Sequence, residues 1–119
     1  MPTTVLLVDD DARFRALARR ILATAGLRVV GEADTVAAAT AAALELRPDT
    51  ALVDVGLPDG SGLALASELT ALPWRPRVLL TSTDPDAASP EDVRQTGANG
   101  FVPKAELPGA PLESLLAIE

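Results

Sequence analysis

Apolar side chains gather into five short runs spaced at intervals of about two dozen residues. These are Thr4 to Val8 (β1), Arg28 to Ala33 (β2), Thr50 to Val53 (β3), Arg77 to Thr81 (β4) and Gly100 to Val102 (β5). Near-continuous apolar runs of this length are the mark of strands buried on both faces. The stretches between them carry helical signals. A chain that alternates strand and helix five times predicts an α/β fold, a parallel sheet with helices over both faces.

The first spacer sets Phe14, Leu17, Ala18, Ile21 and Leu22 at helical i, i+3, i+4, i+7, i+8 spacing with Gly26 just beyond, which predicts helix α1 over this stretch. The second, Val36 to Leu46 (α2), is rich in alanine, can be capped by Thr35, and must stop near Arg47 because Pro48 follows. The third (α3) follows Asp59-Gly60-Ser61-Gly62, brings Leu65, Leu69 and Leu72 onto one face and meets Pro73. Ser89-Pro90-Glu91-Asp92 opens a short α4 that Gly97 stops after Thr96, and Leu112, Leu115 and Leu116 predict α5 over about Ala110 to Ile118. With the chain closing at Glu119, residues 1–119 read as a single domain whose output lies elsewhere.

Composition narrows the chemistry more than the fold. The net charge of −7 opposes attraction to nucleic acid phosphates and to anionic lipid. Arg13, Arg15, Arg19 and Arg20 form a local basic run, read as the solvated side of α1. There is no cysteine and no histidine, which removes thiol nucleophiles, Ser-His pairs and imidazole-rich zinc sites. No apolar run is long enough to span a bilayer and the N-terminus lacks a signal-peptide plan, so a cytoplasmic location without membrane contact is expected.

Carboxylates, hydroxyls and one lysine remain, and they stand where a parallel sheet binds ligands, beyond the carboxyl ends of its strands. β1 runs into Asp9-Asp10-Asp11, β3 into Asp54, β4 into Thr81-Ser82 and β5 into Pro103-Lys104. Taken singly each has an ordinary explanation. Asp11 suits a helix cap, Thr81 a β-branched strand position and Lys104 a solvated surface. Their order on four strand ends is what asks for a common purpose. Carboxylates about 4 Å apart repel by roughly 4 kcal/mol per pair at an effective dielectric of 20. A divalent cation relieves this, and oxygen-only ligation suits Mg²⁺, with Mn²⁺ or Ca²⁺ able to substitute. A lysine alongside suits a phosphoryl group, and a carboxylate can accept one as an aspartyl phosphate.

These segments resemble the receiver domain of two-component response regulators, over about Thr4 to Leu116. The resemblance rests on Val5-Leu6-Leu7-Val8-Asp9-Asp10, on Leu52-Val53-Asp54-Val55-Gly56-Leu57-Pro58-Asp59-Gly60-Ser61-Gly62, on Val78-Leu79-Leu80-Thr81 and on Gly97-Ala98-Asn99-Gly100-Phe101-Val102-Pro103-Lys104. It implies a flavodoxin-like, doubly wound five-stranded sheet of order 2-1-3-4-5 with five helices. It further implies that Asp54 is the phosphoacceptor for a partner histidine kinase, phosphotransfer protein or small phosphodonor. Mg²⁺ would be held by Asp10, Asp54 and the backbone carbonyl of Gly56, with Asp9 acting through water. Thr81 and Lys104 would bind phosphoryl oxygens, Thr81 and Phe101 would form the switch, and the α4-β5-α5 face would read it out, a homodimer being one form. Such a domain is regulatory, not an enzyme beyond self-catalysed phosphotransfer and dephosphorylation. Ala105 stands where the family usually has a proline after the lysine, and the stretch from Thr81 to Lys104 is about one residue longer than usual.

Three other readings compete. Asp9-x-Asp11 imitates the nucleophile and acid of haloacid-dehalogenase-like phosphatases but leaves the Asp54 segment unexplained. Gly60-x-Gly62 hints at a nucleotide loop but lacks a third glycine and follows β3, not β1. A receiver-like module that is never phosphorylated would not need the intact acidic pair, Asp54, Thr81 and Lys104.

Overall fold

The computed structural model describes residues 3–116. Five strands, β1 Thr4–Val8, β2 Arg28–Ala33, β3 Thr50–Asp54, β4 Arg77–Ser82 and β5 Gly100–Pro103, form one sheet in the order β2-β1-β3-β4-β5. Every neighbouring pair is parallel, as the apolar runs imply. The order reverses between β1 and β3, which opens a crevice at their carboxyl ends. Two buried layers sandwich the sheet. Leu6, Val8, Val53, Val78 and Leu80 meet α2 and α3 on one face, whereas Val5, Leu7, Leu52, Leu79 and Val102 meet α1 and the C-terminal segment on the other. The alternation follows from the two-residue period of strand side chains.

Local signals set the helix ends. Asp11 caps α1 (Ala12–Thr24), accepting the amides of Arg13 and Phe14, and Thr35 caps α2 (Val36–Leu46), which stops at Arg47 in the left-handed region. Ser61 caps α3 (Gly62–Thr70). Ser89 and Asp92 build a reciprocal capping box on α4 (Pro90–Thr96), and Gly97 ends it at φ 80°.

The structure departs from the sequence reading in several places, beginning with strands β3, β4 and β5, which each run one residue further, to Asp54, Ser82 and Pro103. The C-terminal helix expected over Ala110 to Ile118 is a single turn, α5, at Leu112–Leu115, and residues 117–119 lie outside the described region. A 3₁₀ segment, Lys104–Gly109, precedes it. Pro108 and Pro111 lack the amide donors a regular helix needs here, while Leu107, Leu112 and Leu116 still bury. Leu17, placed by spacing on the inner face of α1, is 45% exposed because Phe14, Ala18 and Leu22 fill the contact with the sheet. Finally, Gly56–Leu57 pairs antiparallel with Gly60–Ser61, folding the segment after Asp54 into a small hairpin.

That hairpin is fastened to α2. The Asp59 carboxylate accepts the amides of Val36 (2.7 Å) and Ala37 (3.1 Å), which the adjacent Thr35 cap leaves free. These bonds hold the Asp59 carboxyl below its ordinary range.

Candidate functional site

The carboxyl ends of β1, β3 and β5 bring Asp9, Asp10, Asp54 and Lys104 together. Asp9 and Asp54 are buried, at 2% and 7% exposure, and Asp10 is exposed at the rim. One carboxylate oxygen from each of the three acids lies within 4.8 Å of the others. Lys104 reaches across from the start of the 3₁₀ segment, its Nζ 2.8 Å from Asp9 Oδ2 and 3.2 Å from Asp54 Oδ2. The ammonium also lies 4.4 Å from the centre of the Phe14 ring, a cation–π contact that steadies it from the side of α1. Alanine after Lys104 and proline before it therefore leave its reach into the pocket intact.

Asp9 is the most constrained of these residues. Its amide donates to the Ala33 carbonyl (2.9 Å), and its Oδ1 accepts the Asp11 amide (2.8 Å). Its Oδ2 is buried and has no hydrogen bond; Lys104 approaches by distance but off the hydrogen-bonding direction. Burial pushes the Asp9 carboxyl above its ordinary range and the Asp54 charge adds to this, while Lys104 and the Asp11 amide oppose it. Burial also works against the Lys104 ammonium, but the two carboxylates outweigh it and the pKa is raised. An orphaned buried oxygen, two more carboxylates within reach and no nitrogen or sulfur donor fit a hard divalent cation such as Mg²⁺.

Asp54 closes β3 and is joined across the sheet to the residues expected to act as a switch. In register, Asp54 lies beside Thr81 of β4, and Thr81 beside Val102 of β5. The fully buried Thr81 hydroxyl donates to the Val102 carbonyl at 2.7 Å and is not bonded to Asp54. Phe101, next to Val102, is half-buried and lines a cleft of about 660 Å³ with Pro85, Ala88, Pro90 and Val93. Gly56 donates its amide to Asp54 Oδ1 (3.1 Å), which ties the hairpin to the Asp54 carboxylate.

Asp11 is spent as the α1 cap, which leaves the Asp9-x-Asp11 phosphatase reading without its second acid. Gly62 of the imagined nucleotide loop packs against the Asp54 backbone instead. The sequence places Phe14 only in the core and Arg15 only on the solvated side of α1, and it gives Asp59 no role of its own. Phe14 and Arg15 share the first turn after an acidic strand end, where aromatic and basic groups meet a pocket of negative charge. No local signal pairs Asp59 with amides more than twenty positions earlier.

Residues 5–114 match the family model of the response regulator receiver domain. The DNA-binding transcriptional activator DevR/DosR of Mycobacterium tuberculosis is 42% identical over 102 residues, covering 84% of this chain and 46% of that protein. The chemotaxis protein CheY of Thermotoga maritima is 29% identical over 115 residues, covering 97% of this chain and 96% of CheY. Among solved structures, the signal receiver domain of NarL from Mycobacterium tuberculosis superposes with a TM-score of 0.79 at 32% identity, covering 96% of both chains. The chain thus spans about half the length of the first curated relatives it matches, while it spans nearly all of CheY.

Proposed function

The chain belongs to the response regulator receiver family of two-component systems, and from that premise we propose that Asp54 accepts a phosphoryl group in a Mg²⁺-dependent switch. The observation that carries the reading is the convergence of Asp9, Asp10, Asp54 and Lys104 at the carboxyl end of the sheet. Residues 1–119 act as one receiver domain, cytoplasmic, and regulatory in role. Its phosphodonor is a histidine kinase, a phosphotransfer protein or a small acyl phosphate. Its output is a further domain or a separate partner.

In this reading an Asp54 carboxylate oxygen bonds to phosphorus as the bond from phosphorus to the donor atom breaks. Asp10, Asp54 and the Gly56 carbonyl, with Asp9 beside them, are the groups that would hold Mg²⁺. The ion, when bound, offsets negative charge on the carboxylates and phosphoryl oxygens. Lys104 shifts its ammonium from the Asp9 and Asp54 carboxylates to a phosphoryl oxygen, for which a point charge suffices. The Thr81 hydroxyl leaves the Val102 carbonyl for another phosphoryl oxygen. That exchange frees a β5 carbonyl beside Phe101 and opens space behind β4, so the ring moves inward and the seven-residue α4 shifts with it. The aspartyl phosphate brings about −1.5 to −2 charges to the pocket, and a differential of a few kcal/mol moves a two-state population substantially. A homodimer through the α4-β5-α5 face is one form the response can take.

Mass spectrometry after incubation with acetyl phosphate and Mg²⁺ tests this. The parent gains one phosphoryl group and Asp54→Asn gains none, whereas Thr81→Ala remains phosphorylated but loses most of the change in amide exchange across residues 84–104. A phosphorylated Asp54→Asn protein sinks the site assignment. A full exchange response in Thr81→Ala sinks the switch.

Trp74 offers an inexpensive control on strand direction. Its indole N–H bonds the Pro48 carbonyl (2.9 Å) and its ring lies under Arg47 at the amino end of the sheet, away from the acidic pocket. Its fluorescence is expected to change by no more than a few per cent of the signal, roughly, on Mg²⁺ addition, because packing and local charge around the ring stay fixed. A strong quench contradicts that separation.

A further inference from the structure

We infer that Arg15, gripped by Glu32, is a positioning residue that fixes the end of β1 so that Asp9 and Asp10 present their carboxylates together. Read from spacing alone, the arginines of α1 are a solvated face. In the structure Arg15 turns back from that face. Its Nη1 donates to the Asp9 carbonyl at 2.5 Å and its Nε pairs with Glu32 Oε1 at 2.8 Å. Glu32 is in turn gripped by Arg19 through both Nε (3.0 Å) and Nη2 (2.5 Å). These contacts hold the Glu32 carboxyl below its ordinary range, Arg19 contributing most.

The geometry explains why this carbonyl needs a partner. Asp9 lies one residue beyond β1, where its amide still reaches the Ala33 carbonyl of β2 but its own carbonyl has left the ladder. The guanidinium supplies the missing donor, and its planar fork ties three elements at one point: the end of β1, the first turns of α1, and β2 through Glu32. With amide, carbonyl and Oδ1 all engaged, only Oδ2 of Asp9 is left to face the pocket. The peptide that carries Asp10 begins at that same carbonyl.

Two effects of Arg15 on a bound cation oppose each other. Its positive charge near the pocket weakens cation binding, and its grip on the backbone strengthens it by preorganising the ligands. Glu32 lies against the guanidinium and cancels much of its field, so preorganisation prevails. The two effects predict opposite signs when the charge is removed. The cation arm rests on the function proposed above, but the backbone arm does not.

The test compares Arg15→Met, Arg15→Lys, Glu32→Gln and, as a control on the same helix, Arg20→Met. Mg²⁺ affinity is read by calorimetry, and exchange of the Asp11 amide, which bonds Asp9 Oδ1, is read in metal-free protein. Arg15→Met is expected to weaken Mg²⁺ binding about tenfold, the lower end of what outer ligand-positioning groups contribute. It also speeds Asp11 exchange several-fold while exchange in the central strands stays unchanged. Glu32→Gln moves both readouts the same way by less, Arg15→Lys recovers part of each, and Arg20→Met moves neither. Equal or tighter Mg²⁺ binding in Arg15→Met, or unaltered Asp11 exchange, overturns the inference. A parent that binds no Mg²⁺ overturns the proposed cation site, and the metal-free exchange still decides the role of Arg15.

Discussion

Gly62→Ala is expected to be among the most damaging single-methyl changes in this protein. A Cβ at position 62 overlaps the Asp54 carbonyl oxygen and comes within 2.8 Å of both the Asp54 carbonyl carbon and the Val55 Cα. The obstacles are backbone atoms, so no side-chain rotation relieves them. The Gly62 amide is also bound to the Val55 carbonyl at 2.7 Å, and the Val55 amide to the Thr81 carbonyl at 2.9 Å. Displacing Gly62 therefore pulls on β3 at its last residue and, through it, on β4. Overpacking commonly costs about 1–3 kcal/mol, and a blocked main chain places this case near ~3 kcal/mol out of a typical total of about 5–15. The urea midpoint should fall accordingly, and phosphoryl incorporation at Asp54 should fall with it, even where the domain still folds. An unchanged midpoint would mean that the α3 start can retreat without strain, contrary to the packing described.

Asp10→Ala and Asp9→Asn should separate metal binding from folding. Asp10 is exposed, so its removal is expected to leave the metal-free melting temperature nearly unchanged while weakening Mg²⁺ binding at least about tenfold, or roughly 1.4 kcal/mol. Asp9 is different because its carboxylate is buried with an unsatisfied Oδ2 beside Asp54. Burial raises its pKa, which means the ionised form is the costly one in the fold. Asn keeps an acceptor for the Asp11 amide and removes the charge, and Lys104 keeps Asp54 as its partner. Asp9→Asn is therefore expected to melt higher than the parent in chelator and to lose the rise in melting temperature that Mg²⁺ gives the parent. That result would mark the acidic pocket as a place where stability is given up for function. Thermal melts with and without Mg²⁺ check both variants. A metal-free Asp9→Asn protein less stable than the parent would mean that the Lys104 pairing outweighs the burial of charge.

Much of the architecture is legible in the chain because it rests on local rules. The five strands begin where the apolar runs begin, and α2 and α4 keep their expected bounds because Thr35 and the Ser89-Asp92 box start them and Pro48 and Gly97 stop them. The strand ends that carry Asp9, Asp54 and Lys104 follow from the same pattern, and a parallel sheet then brings them to one edge. Asp54 itself belongs to β3 and is not merely the residue after it, since ladder pairing with Thr81 extends one position further than hydrophobicity does.

What the sequence alone determined, then, is which elements form, in what order, and which residue types stand at the ends of the strands, since caps, breakers and side-chain period act over a few neighbouring residues. Only the tertiary structure decided what meets across those ends. Lys104 lies between Asp9 and Asp54 and over Phe14, the Thr81 hydroxyl is held by Val102, Arg15 grips the Asp9 carbonyl, and Asp59 caps a helix more than twenty positions earlier. Each pair is distant in sequence or lies on separate elements, and each bond depends on crossing geometry that no local pattern encodes. The same reason accounts for the C-terminal segment. Its leucines announce burial, but Pro108, Pro111 and the surface they must fit make it a 3₁₀ run and one helical turn. Hydrophobic spacing specifies that such a segment packs, and the shape of the sheet face it covers specifies how.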